Sequence, residues 1–167
     1  MECISISFKS APEEIRRIFV FTQEEKKQLL EQAEQAVLLA TCNRTEIYAT
    51  GKESLFPVLE RLLAEKSGME ETELRRIAKR FQGKKALEHL YRVTCGMDSM
   101  VLGEDEILGQ VRQAYLFSCE EHRTGYGSWG FQGLWPVQKN KNETDISNPL
   151  YPLQLWFPMK YFGRKMQ

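Results

Sequence analysis

The chain has 167 residues, 42% of them hydrophobic, and its 23 Lys and Arg side chains balance 23 Asp and Glu. That length holds one domain with a proper core, or a compact domain plus a tail, and excludes a multi-domain enzyme. The charge balance excludes a large field of one sign, so any nucleic-acid contact has to come from a local patch.

The cysteines, Cys3, Cys42, Cys95 and Cys119, are widely spaced with no CxxC pair, and the only histidines are His89 and His122. A zinc site is therefore not expected, and reduced thiols in a cytoplasmic protein are. The N-terminus lacks a basic start followed by a long apolar core. No stretch reaches the roughly 18 apolar residues of a membrane span, so no membrane partner is expected.

In chain order, "CISISF" (3–8) alternates apolar and polar residues and predicts a half-buried strand. Ser10 with Glu13 suggests a capping box, Pro12 suits a first helical turn, and Ile15, Ile18 and Phe19 mark one helical face. Thr22 with Glu25 repeats the capping pattern ahead of "KKQLLEQAEQ". "AVLLAT" (36–41) reads as a buried strand, and "TEIYATG" (45–51) as an alternating one. "SLFPVLERLLAEKSG" (54–68) reads as a helix closed by Gly68 despite Pro57, and "LRRIAKRFQG" (74–83) as a basic edge strand.

The order β-α-β-β-α-β predicts an α+β fold: a ferredoxin-like split βαβ antiparallel sheet with helices on one face. "KKALEHLYRVTCGMDSMV" and "EDEILGQVRQAYLFSCEE" predict two extra helices, with Gly96 and Gly103 as breaks. Near residue 120 both periodicities stop. All three tryptophans and four of the six prolines follow, so 119–167 reads as an irregular tail behind a domain over 1–118.

Three groups of residues suggest chemistry. Cys42 lies at a strand-to-strand junction, where the Arg44 guanidinium and free turn amides would favour a thiolate; a small packed thiol is the competing reading. His89 sits beside Leu87 and Leu90, as a satisfied, partly buried imidazole or as an acid–base partner for a distant cysteine. "GMDSMVLGEDEILGQ" (96–110) gathers Asp98, Ser99, Glu104 and Gln110 near Gly96 and Gly103, as a helix break or a polar pocket floor. The basic run Arg75, Arg76, Lys79, Arg80, Lys84 and Lys85 is either a solvated face or the best local site for phosphate contacts.

"SFKSAPEEIRR", "LLATCNRTEIYA" and "HLYRVTCGMDSMVLGEDEILGQVRQAY", in that order, resemble the N-terminal catalytic domain of glutamyl-tRNA reductase, from about residue 3 to residue 118. That family forms the first committed intermediate of tetrapyrrole (haem) synthesis by the five-carbon route. The resemblance implies that Cys42 attacks the ester of glutamyl-tRNA to form a thioester, which NADPH reduces to glutamate-1-semialdehyde. It implies a catalytic pair Cys42 and His89, and a glutamate pocket lined by Thr41, Asn43, Arg44, Ser99, Glu104 and Gln110, with Arg44 on the substrate carboxylate.

Two departures follow from the same resemblance. Asp105 and Glu106 stand where the family has Pro-Gln, which adds negative charge near the pocket. No GxGxxG fingerprint occurs, so the NADPH domain and the helical dimerisation domain of this homodimeric family are expected to be missing. The expectation is a disrupted or truncated family member, with a natural short paralogue as the alternative. Such a chain would carry at most the thioester or deacylation half of the reaction. The alternative function is a non-catalytic remnant that binds glutamyl-tRNA or a full-length reductase.

Overall fold

In the computed structural model, residues 1–33, 35–101 and 106–121 are described. Four strands form one antiparallel sheet in the order β2-β3-β1-β4: β1 Glu2–Ser7, β2 Ala36–Ala40, β3 Arg44–Ala49 and β4 Lys79–Gln82. This is the predicted split βαβ arrangement. The α helices are α1 Glu13–Arg16, α2 Gln23–Gln32, α3 Phe56–Ser67, α4 Glu71–Ile77, α5 Lys84–Thr94 and α6 Glu106–Glu120.

Alternation along the strands sends two different sets of side chains to the two faces. Ile4, Ile6, Leu38 and Ile47 pack against Phe19, Leu30, Leu59, Leu63 and Leu74 from the helices between β1 and β4. On the other face, Cys3, Val37, Leu39 and Tyr48 meet Leu87, Leu90 and Val93 of α5 and Ile107, Leu108 and Val111 of α6. The predicted extra helices thus cover the second face, and β1 is buried at all six positions instead of every other one. Ser5 and Ser7, polar and expected at a wet surface, are buried with it.

Local signals mark the start of α2 and both ends of α3. Thr22 and Glu25 form the expected capping box, with Glu25 N–H donating to Thr22 Oγ1 at 3.2 Å and Thr22 N–H to Glu25 Oε2 at 2.8 Å. Pro57 lies in the first turn of α3, where no intrahelical N–H is needed. Gly68 closes that helix at φ 68°, a left-handed conformation that favours glycine.

Two expectations need correction. Ser10 does not cap the first helix: its hydroxyl accepts from the Ser7 N–H at 3.1 Å, so it closes the turn leaving β1. Pro12 is the N-cap instead, and α1 is a single turn running into a 3-10 turn over Arg17–Phe19. The stretch 74–83 is not one strand. Glu71 and Arg75 pair at i,i+4, Leu74 is fully buried, and the chain stays helical to Ile77, which leaves only Lys79–Gln82 to pair with β1.

Among the described residues no helix is long and apolar enough to cross a membrane. The proposed tail, apart from its first residues on α6, and the break at Gly103 lie outside the described residues.

Candidate active site

The β2–β3 hairpin presents Thr41, Cys42 and Asn43 as its tip. The Thr41 hydroxyl accepts from the N–H groups of Asn43 and Arg44, both at 3.2 Å, and Thr41 N–H donates to the Arg44 carbonyl at 2.8 Å. Thr41 therefore holds the turn closed from inside. From outside, Phe8 N–H donates to the Asn43 carbonyl at 2.9 Å, and Arg16 Nε donates to the Cys42 carbonyl at 3.3 Å.

Of the four cysteines, all within the described residues, Cys42 alone is exposed. Burial pushes the Cys3 thiol well above the ordinary cysteine range, and it pushes Cys95 up to about 12. Both are poor sources of thiolate. The hairpin thus offers the most exposed thiol among the described residues.

Arg44 starts β3 and turns away from solvent. It is 2% exposed, and its guanidinium donates to Glu46 Oε1 at 3.0 Å and to the backbone carbonyl of Asp98, with Asp98 Oδ2 at 3.5 Å. Glu46, fully buried, also accepts from Ser5 Oγ at 2.8 Å, from Tyr48 OH at 2.5 Å and from His89 Nε2 at 2.9 Å. Burial alone would raise this carboxyl. The hydrogen bonds and positive charge of His89 and Arg44, with the Tyr48 hydroxyl, outweigh it and hold Glu46 down at about 2.

His89 is buried and stacks on Phe81, ring centroids 4.1 Å apart at 9°. With Glu46 ionised and acceptor-only, Nε2 is the donor in their bond, which fixes the orientation of the imidazole. Cys3, Glu46 and His89 bring a sulfur, an oxygen and a nitrogen within 4.8 Å of one another. Four hydrogen-bond donors, one a guanidinium, already occupy the Glu46 oxygens, so the cluster is a hydrogen-bonded charge network.

The structure brings Thr41, Cys42, Asn43 and Arg44 together on the hairpin, and Arg44 ties them to the Asp98–Ser99 loop. Ser99 Oγ is buried and, among the described residues, without a hydrogen-bond partner. His89 joins this group through their shared carboxylate. Gln110 lies elsewhere, on a groove of about 680 Å³ along β2 and α6, where its amide donates to Glu106 at 3.1 Å. Glu104 falls outside the described residues.

The sequence reading missed Glu46, Tyr48, Arg16 and Lys9. The first two had a signal, because positions 44, 46 and 48 of an alternating strand share one face. Arg16 and Lys9 had none, since their partners Cys42 and Asp98 lie 26 and 89 residues away in sequence.

The described residues do not fit a nicotinamide dinucleotide. Every strand pairing is antiparallel, and no glycine-rich strand-to-helix turn of a parallel βαβ unit is present among them. No step below is routed through that cofactor.

Residues 4–127 match the family described as glutamyl-tRNAGlu reductase, N-terminal domain. The chain is 40% identical over 132 residues to a glutamyl-tRNA reductase of Staphylococcus carnosus, covering 74% of this chain and 28% of that protein. It is 35% identical over 161 residues to one of Priestia megaterium, covering 86% of this chain and 34% of the relative. The solved glutamyl-tRNA reductase of Methanopyrus kandleri superposes with a TM-score of 0.68 at 28% identity, over 87% of this chain and 35% of that one. The chain thus spans about a third of the length of the curated relatives it matches.

Proposed function

The chain belongs to the glutamyl-tRNA reductase family through its N-terminal domain, and on that premise we propose that it carries the thioester-forming half of the family reaction. The Cys42 thiolate attacks the ester carbonyl that joins glutamate to the tRNA. The ester C–O bond breaks, the terminal ribose hydroxyl leaves with a proton, and glutamate remains on sulfur as a thioester.

The observation that carries this reading is the exposed Cys42 on a turn closed by Thr41 and anchored by Arg16, beside a buried charge network. Arg44 holds the position for the substrate side-chain carboxylate; to bind it, the guanidinium exchanges its contacts with Asp98 for the substrate and keeps Glu46. The unpartnered Ser99 Oγ supports a polar pocket at the same loop. His89 acts through Glu46 as an orienting group, and Asn43 closes the hairpin against Phe8. Glu104 and Gln110 remain pocket residues on the resemblance alone.

Hydride delivery is assigned to none of the described residues, and in buffer without a reductant water is the acceptor of the thioester. We assign residues 1–118 to the catalytic domain and 119–167 to a tail. Glutamyl-tRNA is the proposed substrate, with a full-length reductase as the proposed partner for the hydride step. The test is the loss of glutamate from glutamyl-tRNA: the chain accelerates it and Cys42→Ser does not. Equal rates for protein and buffer overturn the proposal.

A further inference from the structure

The basic run that reads as one phosphate site in the sequence divides in space. Arg75 donates through Nε to Glu60 at 2.9 Å and through Nη2 to Glu71 at 2.9 Å, and Arg80 also pairs with Glu60 while lying over the Phe56 ring. Those two guanidiniums are committed to carboxylates. Lys79 and Lys85 go elsewhere: with Arg92, further along α5, and with Lys9, which is remote in sequence, they line a cleft of about 390 Å³.

The cleft has the chemistry of an anion site with an aromatic wall. Its charged lining is Lys9, Lys79, Lys85 and Arg92 against Glu88 and Asp98, four positive and two negative. Lys9 is spent on Asp98, and Asp98 is shared with Arg44. Lys79, Lys85 and Arg92 have no ion pair among the described residues, and all three are exposed. Phe81, stacked on His89, forms part of the lining.

The position of the cleft matters as much as its charge. Ser7, on its wall, is the cross-strand partner of Arg44, and the neighbouring Phe8 is bonded to the hairpin that carries Cys42. The cleft wall therefore adjoins the hairpin that carries Cys42.

We propose that this cleft binds the single-stranded 3′ end of the tRNA, with Lys79, Lys85 and Arg92 on its phosphates and a base against Phe81. The inference rests on the proposed function and extends it, from the glutamyl group to the nucleic acid that bears it. Phosphate contacts of this kind fix position without reading sequence, and aromatic stacking tolerates any base. Binding should therefore depend on salt and on the single-stranded end.

The experiment is a fluorescence-anisotropy titration of the 167-residue chain with uncharged tRNA and with the same tRNA trimmed of its single-stranded 3′ end, across a salt series. The triple variant Lys79→Gln, Lys85→Gln, Arg92→Gln should bind about tenfold or more weakly and lower the log–log salt slope by about 2 to 3, the count expected for three lost phosphate contacts. Trimming should weaken the wild type and leave the variant unchanged. The control Arg76→Gln, Lys84→Gln, from the same sequence run, should match the wild type.

Equal affinity for trimmed and intact tRNA overturns the inference, as does a loss confined to the control pair or wild-type binding too weak to measure. Acylation of wild-type Cys42 by a small glutamyl thioester without RNA reports on the proposed function separately. A chain that acylates but binds no tRNA end therefore contradicts this inference alone.

Discussion

His89 Nε2 lies 2.9 Å from Glu46 Oε1, and that contact joins α5 to the middle of the sheet at the carboxylate that also holds Arg44. A single acidic group, fully buried, organises side chains from β1, β3 and α5.

Removing that carboxylate should cost far more than a surface change. Glu46→Ala strands the Arg44 guanidinium, 2% exposed, with its main partner gone. A loss of about 3 to 5 kcal/mol is expected, the range for breaking a buried ion pair. Urea unfolding checks it, and a loss under about 1 kcal/mol would place the network among ordinary surface pairs.

Acid should reveal the same group. The Glu46 carboxyl is held at about 2, below its ordinary 4.5, so its stabilisation is present above the unfolded value and is lost as pH falls through the folded one. The loss between these limits is about 3 kcal/mol, at 1.36 kcal/mol per unit. Unfolding midpoints followed from neutral pH down to the onset of acid unfolding should fall more steeply for the wild type than for Glu46→Gln. Parallel profiles would show that other carboxylates carry the effect.

Thiol accessibility gives a third check. Limiting iodoacetamide should modify Cys42 first, because Cys3 is fully buried and the Cys95 thiol is pushed up to about 12 by burial. Peptide mass mapping reads the site. Cys42→Ser should change stability by no more than about 0.5 kcal/mol, as expected for an exposed position. First modification at Cys95 or Cys119 would contradict the exposure of the hairpin.

Covering the second face of the sheet is a matter of packing. Leu90 of α5 is fully buried among Cys3, Tyr48 and the α6 residues, so Leu90→Ala should destabilise by about 2 to 5 kcal/mol. Thermal unfolding measures it, and a change under about 1 kcal/mol would mean that α5 is not docked on the sheet.

Much of this was legible in the sequence because it was local. Strand alternation, the Thr22–Glu25 box and the Gly68 stop each depend on residues a few positions apart, and they yield the element order and hence the sheet. What failed depended on distance. Ser10 reads as a helix cap until Ser7 claims its hydroxyl. Alternation in β1 reads as one wet face until α5, more than 70 residues on, covers it.

The site divides in the same way. Thr41, Cys42, Asn43 and Arg44 are contiguous, and the TCNRTE stretch announces them. The ties that bury Arg44 were not legible there, since one of them, to Asp98, reaches a residue 54 positions away. The basic run misled in the opposite sense, since adjacency in sequence hid the division between Glu60 and the cleft.

The central claim is covalent chemistry at Cys42, and acid-quenched incubation of the purified chain with glutamyl-tRNA labelled in the glutamate tests it most directly. Label on the protein, released by hydroxylamine and absent from Cys42→Ser, is the expected result. Folded protein that acquires no label, or label that persists in Cys42→Ser, would contradict it.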